Sequence, residues 1–144
     1  MVKISISYCG GLRCEATHGP SGCRITTDAP VDNHGKGESF SPTDLLATAL
    51  GSCMATVMGI VAQKHGVELV GMEITVEKEM VLQPVRRVGR LITRIRMPIG
   101  GDHPQRRLFE QAAFTCPVHA SLHPAVDIPV EFLWGLDGPG AGEI

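Results

Sequence analysis

The stretch Ser41-Pro-Thr-Asp-Leu-Leu-Ala-Thr-Ala-Leu-Gly-Ser-Cys53-Met-Ala-Thr-Val-Met-Gly-Ile60 decides the architecture of this chain. Ser41 can cap the free backbone N–H groups of a helix, and Pro42 is tolerated at the first helical position, where its missing donor would be unpaired anyway. Asp44 in the first turn complements the positive end of the helix dipole. The pattern predicts a helix running to about His65, with Gly66 as its C-terminal cap. Leu46, Leu50, Cys53, Val57 and Ile60 form one apolar stripe, and the only polar line before Gln63 is Thr48, Ser52 and Thr56. A helix nearly apolar all round is expected to be buried on most sides, at the centre of the fold.

Strands are expected on either side of it. Ile4 and Ile6 alternate with Lys3, Ser5 and Ser7, the period of a half-buried strand, and Gly10-Gly11 reads as a turn. Leu12–Thr17 and Cys23–Thr27 complete a small antiparallel meander, followed by a loop from Asp28 to Phe40. Met72–Leu82 and Arg87–Met97 form two long strands joined through Gln83-Pro84-Val85-Arg86. A turn centred there sets Glu73, Thr75, Glu77 and Glu79 opposite Arg96, Arg94, Ile92 and Arg90, a register that opposite charges favour. Pro104 starts a second helix through Leu108, Ala112 and Phe114. Pro117 breaks it just after Cys116, a short helical piece reaches Leu122, and Val126–Leu133 is the last strand.

At 144 residues the chain has the length of one domain, expected over 1–134, and the Gly-rich segment 135–144 has little to bury and reads as a flexible tail. Aromatic residues make up only 4%, so the core must be aliphatic. A formal charge of −2 gives no electrostatic footprint for nucleic acid. The run Arg86, Arg87, Arg90, Arg94, Arg96 is basic in isolation, but the glutamates of its expected partner strand make it a solvated, charge-paired face. The N-terminus lacks the apolar block of a signal peptide, and no run reaches the roughly 18–20 apolar residues that span a bilayer, so no membrane is expected. Five cysteines without an export signal point to free thiols in a reducing cytoplasm.

Cys53 and Cys116 are the candidates for chemistry. Free cysteine commonly just fills cores, and Cys53 lies three turns from its helix start, too far for much dipole help. A reactive thiol there needs a cation from elsewhere. Cys116 precedes a proline, which pushes it out of regular helix and is expected to expose its sulfur at a kink. On the residues alone, packing and reactivity both stay open for each. Cys9 and Cys14 flank a glycine turn, with His18 nearby, but the CxxC spacing of structural zinc sites is absent and no metal is expected. His119 either orients Cys116 or simply packs.

The Ser41-to-Cys53 helix start, followed some sixty residues later by Cys116-Pro-Val-His119, resembles the OsmC/Ohr family of cysteine-based organic hydroperoxide reductases. The similarity extends from Tyr8-Cys-Gly-Gly-Leu-Arg13 to Trp134. It implies an α+β fold with antiparallel sheets around a long central helix, in an intertwined homodimer with active sites at the subunit interface. It also implies reduction of an organic hydroperoxide to the alcohol, without a cofactor. Cys53 then attacks as thiolate and becomes a sulfenic acid, and Cys116 condenses with it to a disulfide. A dithiol, in this family a protein-bound lipoyl group, reduces that disulfide. The activating arginine matches Arg13, with Arg24 the other possibility. The family glutamate that orients it is replaced by Thr43, and Asp44 either takes over one residue along or serves only the helix dipole. Leu46, Leu50, Met54 and Val57 would wall a pocket suited to an apolar peroxide. The alternative is a non-catalytic module of the same fold that binds an apolar small ligand at the dimer interface, its cysteines mere packing residues.

Overall fold

The computed structural model describes residues 1–135; the expected tail, apart from Gly135, lies outside the described residues. Within the stretch expected to form one domain, the chain clusters into two compact units, Met1–Leu46 and Ala47 onward.

In the first unit, β1 (Ile4–Gly10), β2 (Arg13–His18) and β3 (Arg24–Asp28) form the expected antiparallel meander. Gly10, Gly11 and Leu12 all carry positive φ (82°, 59° and 62°), the left-handed backbone of a tight turn. The register pairs Tyr8 with Cys14 and then Gly10 with Arg13, so Cys9 is an extra residue at a bulge. Alternation from that register puts Ile4, Ile6, Tyr8, Cys14, Ala16 and Ile25 on one face. Ile4, Ile6, Tyr8 and Ile25 are exposed there. The opposite face is polar and includes Arg13, Glu15, Thr26 and Asp28.

The segment 29–40 folds back along β3. Asp28 N–H donates to Phe40 O (3.1 Å), Gly37 N–H to Ala29 O (3.3 Å), and Ser39 Oγ to Thr26 O (2.6 Å). A Cβ on Gly35 would fall 1.7 Å from Ala29 O, so only glycine fits this return. The chain then enters α1 (Pro42–Lys64). Ser41 Oγ accepts from Asp44 N–H (3.1 Å) while Asp44 Oδ2 accepts from Ser41 N–H (2.7 Å). This reciprocal cap satisfies two backbone donors and is worth about 1 kcal/mol.

In the second unit α1 buries Ala47, Leu50, Gly51, Met54, Met58 and Ala62. The expected stripe is therefore rotated: of its members only Leu50 is buried, while Leu46, Cys53 and Val57 are half-buried and Ile60 is exposed. The cause is Gly51. A Cβ at that position would lie 3.2 Å from Val76 Cγ2 and 3.4 Å from Ile74 Cγ2, so the absent side chain lets the sheet approach the helix there. Within the single chain, 33% of the most apolar window of α1 is buried. By length and composition alone α1 is long and apolar enough to cross a membrane, contrary to the expectation that no run is. Its hydroxyls are satisfied within the helix: Ser52 Oγ donates to Thr48 O (2.7 Å) and Thr56 Oγ1 to Ser52 O (2.8 Å).

The sheet beside α1 has the order β4 (Glu73–Val81), β5 (Arg87–Met97), β6 (Val130–Trp134). The register of β4 on β5 is the one the charges implied, with Glu73, Thr75, Glu77 and Glu79 opposite Arg96, Arg94, Ile92 and Arg90. Arg94 pairs with Glu77 and with Glu131 (3.3 Å), Arg96 with Glu73 (3.4 Å), and Arg90 with Asp127 (2.8 Å). Leu91, Thr93, Ile95 and Met97 point inward on alternate residues and join Phe109, Leu50, Met54 and Met58 in the core. β6 departs from the antiparallel expectation and runs parallel to β5. A parallel neighbour needs a long crossover, which α2 (Arg106–Phe114) and α3 (Pro117–Ser121) supply. The strand starts at Val130 rather than Val126, because Pro129 has no N–H for the ladder.

Candidate active site: two thiols and an arginine held by acids

Cys53 lies on the half-buried side of α1, and Cys116 is the N-cap residue of α3. Pro117 holds Cys116 in extended backbone (φ −58°, ψ 127°), which lets its sulfur accept the His119 N–H at 3.4 Å. The expected exposure of Cys116 is corrected: it is fully buried. The kink turns the sulfur into the protein, near enough to Cys53 for that residue to influence its ionisation. The structure thus brings together the two cysteines separated along the sequence. Burial pushes the Cys116 thiol up, and Cys53 adds to this, while the amides of His119 and Val118 act the other way. Cys116 therefore keeps its proton at neutral pH.

His119 contributes its backbone N–H to Cys116, and its ring packs edge-on against Phe114 (5.9 Å between centroids). Of the expected pocket residues, Leu50 and Met54 are fully buried in the core, whereas Leu46 and Val57 are half-buried like Cys53. Cys9 and Cys23 are exposed and Cys14 is half-buried, and all are free. Among the described residues no three His, Cys, Asp or Glu side chains gather as a metal-binding set.

In the first unit Arg13 is tied to two acids. Its Nη2 donates to Asp28 Oδ2 (3.4 Å) and to Glu38 Oε2. Both acids raise the guanidinium above its ordinary value, Glu38 most. Asp28 is wholly buried, and the Glu38 amide (3.0 Å to Oδ2) is the chief influence holding its carboxyl below the usual range. Arg24, the other candidate, forms a surface pair with Glu15 at 3.5 Å and is 67% exposed, against 35% for Arg13. Asp44 spends a carboxylate oxygen on the helix cap. Sequence reasoning singles out neither acid: Asp28, expected to start the loop, ends β3 opposite Arg13, and Glu38 lies in a Gly-rich loop that gives no periodic signal for which acid returns to which strand.

The family model described as OsmC-like protein matches residues 35–131. Among solved structures, a candidate osmotic stress induced and detoxification response protein from Psychrobacter arcticus is 43% identical, with a TM-score of 0.86 over 92% of this chain and 96% of its own. An organic hydroperoxide resistance protein OsmC from Legionella pneumophila is 16% identical (TM-score 0.76; 92% and 96% covered). An organic hydroperoxide resistance protein from Elizabethkingia anophelis is 12% identical (TM-score 0.74; 94% and 96% covered). These last two are alike in fold. No curated protein matches the chain. The match over residues 35–131 and the 43% identical structure together place this chain in the OsmC-like family, with its α+β fold.

Proposed function

We propose that this protein is a thiol peroxidase that reduces organic hydroperoxides to alcohols. The observation that carries the reading is the neighbouring pair of thiols, Cys53 half-buried and Cys116 fully buried, with Cys53 among the groups that push the Cys116 thiol up. Cys53, as thiolate, attacks the peroxide oxygen distal to the organic group. The O–O bond breaks, the alkoxide leaves as the alcohol after taking a proton, and Cys53 becomes a sulfenic acid. The Cys116 sulfur then attacks Cys53, water departs, and a Cys53–Cys116 disulfide forms before further oxidation can become irreversible. An external dithiol of the lipoyl class reduces the disulfide and is itself oxidised. Arg13 is the cation that favours the Cys53 thiolate, since guanidinium stays protonated and offers several donors.

The reading extends to a homodimer in the cytoplasm. The exposed apolar face of β1 to β3 and the large unburied share of α1 are surfaces that a second copy of the chain would cover. Leu46 and Val57 then border an apolar entrance beside Cys53, suited to an organic rather than a small hydrophilic peroxide.

One equivalent of an alkyl hydroperoxide added to the reduced protein tests this. The expected product has lost two hydrogens, mapped by mass spectrometry to a Cys53–Cys116 disulfide, and turns over with dihydrolipoamide. Slow oxidation scattered over all five cysteines would instead mark a ligand-binding module whose thiols only pack.

A further inference from the structure

A cavity of about 380 Å³ opens in the second unit between the end of α3 and the approach to β6. That size falls in the range of small-molecule sites, roughly 300–1,000 Å³. Neither Cys53 nor Cys116 lines it. Its wall is largely apolar, with the half-buried side chains of Leu122, Val126 and Ile128. The polar side chains on it are His119, His123 and Asp127.

The charges around this cavity do not cancel. Asp127 is matched by Arg90, whose Nε lies 2.8 Å from Oδ2. Arg87 is half-buried, and its Nη1 donates to Val88 O (3.1 Å) and to Ala125 O (3.4 Å), a residue of the cavity wall. Among the described residues no carboxylate pairs with Arg87. A guanidinium drawn partly out of water onto two neutral carbonyls lacks the counter-ion that burial of charge calls for. Both of its hydrogen bonds leave through Nη1, so Nε and Nη2 keep the forked pair of N–H groups that a carboxylate fits. His123 Nδ1 accepts from Ala125 N–H at 3.0 Å, which puts the hydrogen of the neutral ring on Nε2 as a further donor.

We propose that this cavity binds a small apolar carboxylate, its tail against Leu122, Val126 and Ile128 and its head group on Arg87 and His123. A neutral ligand would leave the Arg87 charge without a partner. An inorganic anion would leave the apolar wall in water. A carboxylate on a short hydrocarbon chain answers both. The inference does not rest on the peroxidase reading, and its test uses no peroxide.

Octanoate is titrated into the reduced full-length protein, and backbone amide shifts are followed by NMR. Saturable one-to-one binding is expected, with the shifts concentrated on residues 119–128 and on Arg87. Shortening the acid to hexanoate and butanoate should weaken binding by about two- to fourfold per methylene, because each CH₂ leaves water on the apolar wall. Arg87→Gln should weaken octanoate binding by about tenfold, the loss of a charge-assisted pair. Octan-1-ol, with the same tail and no charge, should bind the native protein more weakly than octanoate by a similar factor, about tenfold. Should Arg87→Gln fail to fold, the octan-1-ol comparison carries the charge argument on native protein. Octan-1-ol that binds as tightly as octanoate, or an Arg87→Gln variant with native affinity, overturns the inference. So do shifts that never saturate, or that gather on the exposed apolar face of β1 to β3 instead.

Discussion

Cys116→Ser separates the two halves of the proposed cycle. In the native chain the Cys116 sulfur is fully buried and lies near Cys53, so only a short local movement precedes capture of a sulfenic acid. An effective concentration of only about 1 M, far below the roughly 10⁵ M that well-oriented groups reach, still exceeds about 1 mM external dithiol by roughly 10³. The variant should therefore form sulfenic acid at the native rate yet hold it about 10³ times longer than the native enzyme at that dithiol level. With one equivalent of peroxide its mass rises by one oxygen, and a sulfenic-acid trap labels Cys53. With excess peroxide Cys53 proceeds to sulfinic acid and activity is lost irreversibly. Serine keeps an oxygen able to accept the His119 N–H, so the N-cap of α3 survives and the fold should persist. If the variant loses its sulfenic acid as fast as the native enzyme, Cys116 is not the group that captures it.

Three further outcomes follow from the packing and the charges. Gly51→Ala should stay within about 0.5 kcal/mol of native in urea unfolding, because a helix gain of about 1 kcal/mol offsets crowding against Val76 at 3.2 Å and Ile74 at 3.4 Å. Gly51→Leu should lose about 1–3 kcal/mol by forcing α1 off the sheet, and an unchanged midpoint would refute the close approach. In the reduced protein Cys116 should be the last of the five thiols to alkylate at neutral pH, since burial raises its pKa. With the folded value raised, stability should also fall as pH climbs beyond about 8.5, and early labelling of Cys116 would contradict this. Asp28 has the opposite sign: its folded value is lowered, so its contribution is present above about pH 4 and lost as acid protonates it. Melting temperatures below about pH 4 should therefore fall less steeply in Asp28→Asn than in the native chain.

The elements most legible in the sequence were those whose signals repeat locally. Opposite charges at alternate positions in β4 and β5 gave their register residue by residue, and Ser41-Pro42 gave the start of α1 to the residue. The buried face of α1 was misjudged for a physical reason: a stripe drawn through large apolar side chains passes over Gly51, and it is the absent side chain that brings the sheet close. Direction was hidden in β6, since a strand's sequence does not state whether it runs parallel to its neighbour, and only the α2–α3 crossover decides it. Pro117 announced the break at Cys116 but not its outcome. A kink redirects a side chain, and what surrounds it decides whether that direction is solvent or core.

The candidate sulfurs were easier to single out in the sequence than the candidate cation, and the difference lies in how each side chain is held. A cysteine acts through one atom fixed by its own backbone, so position in a helix or at a cap nearly specifies it. An arginine acts at the end of a long chain with some 2 kcal/mol of rotamer freedom, and its head is located by whatever anions it meets. Here those anions are Asp28 and Glu38, which lie 15 and 25 residues further along the chain than Arg13. The first separation follows from the β2–β3 register, which sets Asp28 opposite Arg13; the second depends on the return of segment 29–40 along β3, where Gly35 lies against Ala29. Asp44, the acid beside the helix start, accepts the amide of Ser41 on one carboxylate oxygen and builds the helix cap. The loop that looked like a mere connection is thus what carries Glu38 to Arg13. Lengthening it by a residue should disturb Arg13 more than any conservative change within the strands.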